Sequence, residues 1–192
     1  MRTTLPAGLA VALLLSVAVL AAGCAAPART DQMAIGAGAA GVATVPAALR
    51  GSLAIRDVTG GGETNPMWMS KVGSAEFARA LEDSLRAVGM LAPNQQASRF
   101  LLVAHLEKLD QPMLGLDMTV TATVSYQVFE RATGRDVFRR QLATPHTATV
   151  KDAFIGTERL RLANEGAIRA NIMRLIDEVS RLSLDGAVLH RM

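Results

Sequence analysis

Between Met118 and Val128 the chain alternates without a break. Met118, Val120, Ala122, Val124, Tyr126 and Val128 are separated by Thr119, Thr121, Thr123, Ser125 and Gln127. Successive side chains of a strand point to opposite sides of its sheet, so this period of two prescribes a long, half-buried strand with one apolar and one Thr/Ser face. Ala132-Thr133-Gly134-Arg135 reads as a turn, and Val137 to Ala143 as the antiparallel partner. Pro145 is expected to interrupt that pairing, with Thr147 to Val150 extending the edge.

The remaining elements follow from their own periods. Leu49 to Val58 reads as an extended segment with Leu53 and Ile55 on one face, closed by Gly60-Gly61-Gly62. Phe77, Leu81, Leu85 and Val88 recur at helical spacing, which predicts a helix over Ser74 to Val88 with Ser74 as N-cap and Gly89 as terminator. Arg99 to Leu109 reads as a strand. Ile168, Ile172, Leu175, Ile176, Val179 and Leu182 form the apolar stripe of a last helix over Thr157 to Leu182, whose earlier half offers Ala163, Ala167 and Ala170 for close approach to a sheet. The order β-α-β-β-β-α implies an α+β fold: an antiparallel or mixed sheet of about four strands with two helices packed on one face.

The N-terminus carries a different signal. Arg2 precedes an uncharged apolar run from Leu5 to Leu20, followed by Ala21-Ala22-Gly23-Cys24. The run has the length of a signal-peptide core and no charged stop-transfer cluster after it. Leu20, Ala21, Ala22 and Gly23 before Cys24 resemble the recognition box of lipoprotein signal peptidase, although Ala21 stands where a Leu is usual. The resemblance implies cleavage before Cys24 and acylation of it. Several acyl chains would then hold the protein stably where one would not. Ala25 in place of Asp after the cysteine implies sorting to the periplasmic face of the outer membrane. Cys24 is the only cysteine of the 192 residues, so the exported fold uses no disulfide. Residues 1–23 are thus expected to be a signal peptide, and 24–48, rich in Ala and Gly, the lipidated cysteine with a flexible tether. Residues 49–192 would form a single periplasmic domain. The net charge of +3 is scattered among Asp and Glu, with no like-charge run, which excludes a nucleic-acid partner.

Candidate sites are few. His105 and Asp110 match an H-x4-D pattern that in some acyltransferases pairs a base with an acid. On a regular strand, residues five apart point to opposite faces, so the two are expected to diverge. Gly60-Gly61-Gly62 lacks the following Lys-Ser/Thr pair and the adjoining helix of a phosphate loop, and reads as a tight or mobile turn. His105, His146 and His190 are too dispersed for a metal site, and no cofactor is expected. Met67, Trp68 and Met69, in a glycine-rich loop, are either a plug packed on the sheet or an exposed contact for a partner or lipid. Arg161, Glu165 and Arg169, four apart, read as a solvated ion-pair ladder, with docking to acidic groups as the alternative. Asn164 and Asn171 lie seven apart on one helix edge, in reach of a neighbouring strand or loop.

In overall plan, with its lipidated cysteine, tether and β-α-β-β-β-α domain, the chain resembles the auxiliary lipoproteins of envelope transport machines and the lipopolysaccharide-assembly lipoprotein. That resemblance implies a non-enzymatic role with a transporter component, a β-barrel or a lipid as partner. Gly61-Gly62-Glu63-Thr64-Asn65-Pro66 and the segment Glu158 to Gly166 also resemble chains labelled UDP-N-acetylglucosamine acyltransferase. That enzyme's fold is a left-handed β-helix of hexapeptide repeats, which this sequence lacks. An enzyme of envelope sugars and a purely structural envelope lipoprotein stand as the alternatives.

Overall fold

The computed structural model describes residues 25–38, 44–65 and 69–182. Its centre is a four-stranded sheet in the order β1-β2-β3-β4. The strands are β1 (Leu53–Gly60), β2 (Phe100–Asp110), β3 (Met118–Glu130) and β4 (Asp136–Ala148). The β1–β2 pair is parallel and the other two pairs are antiparallel, so the sheet is mixed. A short helix α1 (Thr30–Met33) precedes β1, α2 (Ser74–Ala87) makes the crossover from β1 to β2, and α3 (Gly156–Ser180) follows β4. A single turn of 3-10 helix at Ala47–Leu49 stands where the extended segment was expected to begin.

The alternation in β3 sets the architecture. Met118, Val120, Ala122, Val124, Tyr126 and Val128 are all buried beneath α3, together with Phe100, Leu102, Ala104 and Leu106 of β2. From α2, Phe77, Leu81 and Leu85 enter the same core. Gly89 ends that helix with φ of 75° and an N–H bonded to Arg86 O. At its start the capping position is Gly73, not Ser74.

Two expectations are corrected here. Pro145 does not break the pairing: it sits opposite Thr121 inside β4, which runs on to Ala148. A proline fits there because β4 is an edge strand, where its missing N–H costs no ladder bond. Nor do the described residues of the expected tether, 25–38 and 44–48, hang free. Ala25, Ala28, Met33, Ile35 and Val45 are buried, and Met33 is wholly enclosed. The segment is held by hydrogen bonds from Ala28 N to Lys71 O, Arg29 N to Glu165 Oε1 and Ile35 N to Ser84 Oγ. The Ala/Gly composition hid two large apolar anchors, Met33 and Ile35, in its middle.

Candidate functional site

Leu20, Ala21, Ala22, Gly23, Cys24, Met67 and Trp68 lie outside the described residues. Met69 is half-buried and pairs with Asn65 in a small antiparallel bridge, with N–O distances of 2.9 and 3.1 Å. Among the described residues no helix is long and apolar enough to cross a membrane, and no His/Cys/Asp/Glu group is arranged to hold a metal.

The face of the sheet turned away from the helices carries a polar cluster. His105 Nδ1 lies 2.8 Å from Thr59 Oγ1, and Ser125 donates to Glu107 Oε1 at 2.7 Å. Glu107 Oε2 is 3.6 Å from His105 Nε2. His105 and Asp110 do share a face, against expectation. The ladder slips between Leu106 and Lys108, so one extra residue, Glu107, restores the parity. The Lys108–Asp110 ion pair at 2.9 Å, two residues apart, agrees with that placement. They still do not meet. Their partners Ser125 and Thr121 are four residues apart on β3, about 13 Å. No His–Asp dyad exists, and His105 is instead tied to Thr59 and Glu107.

Along α3 the expected solvated ladder is buried. Arg161 is 7% and Glu165 1% exposed. Arg161 Nη1 donates to Glu165 Oε1 at 2.5 Å, while its Nε and Nη2 bind Glu158. Burial raises the pKa of Glu165 despite Arg161, and its Oε2 has no hydrogen-bond partner. The hydrogen bond from Arg161 lowers Glu158. Arg169 Nε donates to Gln32 O at 2.6 Å. The ladder is covered because residues 25–35 lie over it, a contact that helical spacing alone does not encode. Asn164 and Asn171 do reach neighbouring segments. Asn164 Nδ2 bonds Ser70 O and its Oδ1 accepts from Gln111; Asn171 Nδ2 bonds Leu142 O and Ala122 O.

The three glycines make a tight turn. Gly60 and Gly61 have φ of 81° and 76°, and the N–H groups of Gly61 and Gly62 are spent on Leu106 O and Val72 O. The turn folds back beside the start of α2, forming an open groove of about 490 Å³ with Pro27 at its rim. Glu76 covers Gly73 at that helix start, so a carboxylate of the chain itself occupies the place an anion would take.

No protein-family profile matches the chain. No curated protein matches it either. Solved structures do. A Xanthomonas campestris protein described as DUF330 is 12% identical, with a TM-score of 0.53 over 75% of this chain and 94% of that one. The likeness is one of fold. A minor lipoprotein from Acinetobacter baumannii (13% identity, 65% and 92% covered, TM-score 0.40) aligns less closely. So does the lipoprotein GNA1162 from Neisseria meningitidis (11% identity, 67% and 96% covered, TM-score 0.30). The fold is therefore one that the Xanthomonas protein shares, and the mixed sheet with helices on one face is not the β-helix of the acyltransferase label.

Proposed function

We propose that this chain is a lipid-anchored lipoprotein of the bacterial cell envelope that acts by binding, as an accessory component in the transport or assembly of envelope material. The observation that carries the reading is the docking of residues 25–35 onto α2 and α3. A chain acylated at Cys24 would enter its folded domain at the next residue. The lipid would then hold the domain against the bilayer, without a spacer to let it reach away. The polar sheet face supports binding over covalent chemistry, because His105 and Ser125 are engaged by Thr59 and Glu107 and do not form a nucleophile–base pair.

Mass spectrometry of the protein purified from membranes tests the anchor. The expected mass is that of residues 24–192 with acyl chains on Cys24, and an unmodified sulfur or an intact leader would overturn it. The binding reading is tested by complementation of a deletion strain with His105→Ala and Ser125→Ala at normal abundance. Both are expected to restore the envelope phenotype. Loss with both variants, at normal abundance and fold, would favour the enzyme of envelope sugars.

A further inference from the structure

Every exposed large hydrophobic side chain among the described residues lies on two loops: Met113, Leu114 and Leu116 on one, Val150, Phe154 and Ile155 on the other. The first loop joins β2 to β3 and the second joins β4 to α3. Met118 pairs with Ala148, so the two loops leave the sheet side by side at one end. Met113, Leu114 and Phe154 are 90% or more exposed. Nor is Phe154 displayed by a slack segment. Asp152 Oδ2 accepts the N–H and hydroxyl of Thr149 at 2.7 and 2.8 Å, and Arg159 Nη1 donates to Ala153 O and Phe154 O at 2.9 and 2.6 Å. Large apolar side chains held out on two neighbouring loops, one of them pinned by these bonds, mark a contact surface.

The entry of the chain says what that surface meets. Ala28 binds Lys71, beside the end of β1; Arg29 then meets Glu165, Gln32 meets Arg169 and Ile35 meets Ser84. Since α3 starts at the loop end, the chain runs away from that end as it proceeds. The described segment thus begins on the side where the apolar loops project. The charges nearest the loops are of both signs, Lys108 and Lys151 with Asp110, Asp117 and Asp152, so the patch is read by its apolar side chains and not by a field of one sign.

We propose that the tips of loops 111–117 and 149–155 insert into the membrane surface that carries the Cys24 anchor. Acyl chains and two apolar loops would then give three points of attachment. The domain would stand with its strands rising from the bilayer and the polar sheet face turned sideways. The proposal rests on the lipoprotein reading. Amphipathic insertion beside a covalent lipid adds a second signal to the first and fixes orientation, which a lipid alone does not.

Site-directed spin labelling of the full protein, purified from membranes and placed in phosphatidylethanolamine/phosphatidylglycerol vesicles, tests it. In acylated protein the Cys24 sulfur is a thioether, so Leu114→Cys, Phe154→Cys or Ala132→Cys supplies the sole thiol. Ala132 is exposed in the turn at the opposite end of the sheet. Labels at 114 and 154 are expected to show a ratio of oxygen to nickel-chelate collisions several-fold above that at 132. Ratios at 114 and 154 equal to that at 132 would overturn the insertion, as would spin–spin broadening that reports a second copy on the patch. A reactive thiol in the parent protein would instead overturn the anchor, so the two failures are told apart.

Discussion

Tyr126 shows how the core treats a single polar atom. Its ring fills the space under α3 at 1% exposure, and its hydroxyl has no hydrogen-bond partner. Burial drives the phenol pKa upward for that reason, because the charged form would be still worse placed. A hydroxyl that loses water and gains nothing in return costs stability. Tyr126→Phe keeps the ring and removes that cost, so it is expected to raise unfolding stability by about 1 kcal/mol, read as a higher urea midpoint at unchanged slope. Asn171 contrasts only in part, since its Oδ1 also lacks a hydrogen-bond partner. It is as deeply buried, but its amide donates to the β3 and β4 carbonyls Ala122 O and Leu142 O, tying α3 to two strands at once.

Among the elements, α3 carries the greatest load because it is covered on two sides, by the sheet and by residues 25–35. At Gly166 it lies close against β4: a Cβ there would run into the His146 ring. In an open helix interior, Gly→Ala stabilises by about 1 kcal/mol. Here Gly166→Ala is expected to destabilise the wild type and to stabilise a His146→Ala background, a reversal of sign that a double-mutant cycle reads directly. The same helix holds the buried Arg161–Glu165 pair. With its folded pKa raised above the ordinary 4.5 of a glutamate, Glu165 binds protons more readily in the folded state. Its contribution is complete below the unfolded value and is lost as pH rises through the folded one. The hydrogen-bonded Asp152 and Glu158, lowered in the fold, act with the opposite sign and lose their contribution on acidification. Relative to Glu165→Gln, the wild type should therefore lose stability as pH rises above the ordinary glutamate value of 4.5, measured as the difference in urea midpoints.

For the molecule as a whole, the decisive contact is that of its first described segment with its last helix. Arg29 meets Glu165 across 136 positions of sequence and Gln32 meets Arg169 across 137. Met33, wholly enclosed, packs in the same core as Leu81 and Ile172. If this segment were only a linker, its substitution would leave stability unchanged. Met33→Ala is instead expected to cost about 2–5 kcal/mol in equilibrium unfolding, the range for a truncated core side chain. An unchanged midpoint would show that the segment detaches in solution.

The sequence by itself determined the elements whose side chains repeat at a backbone period. The 118–128 alternation, the Phe77–Leu85 stripe and the Ile168–Val179 stripe each became one face of one element, because local geometry alone puts such residues on a common side. An α+β fold with helices on one face of an antiparallel or mixed sheet followed from their order, and the parallel β1–β2 pair decided between the two only in the folded structure. Tertiary structure decided what depends on partners far along the chain. The bulge at Glu107 turned Asp110 onto the face of His105, and an edge position let Pro145 stay in its strand. The Arg161–Glu165 pair lost its water because a segment some 130 residues earlier covers it. The apolar loops came together because β2–β3 and β4–α3 end at the same margin of the sheet. Periodicity records which way a side chain points, whereas burial depends on what arrives opposite it, and that is settled only when the whole chain has packed.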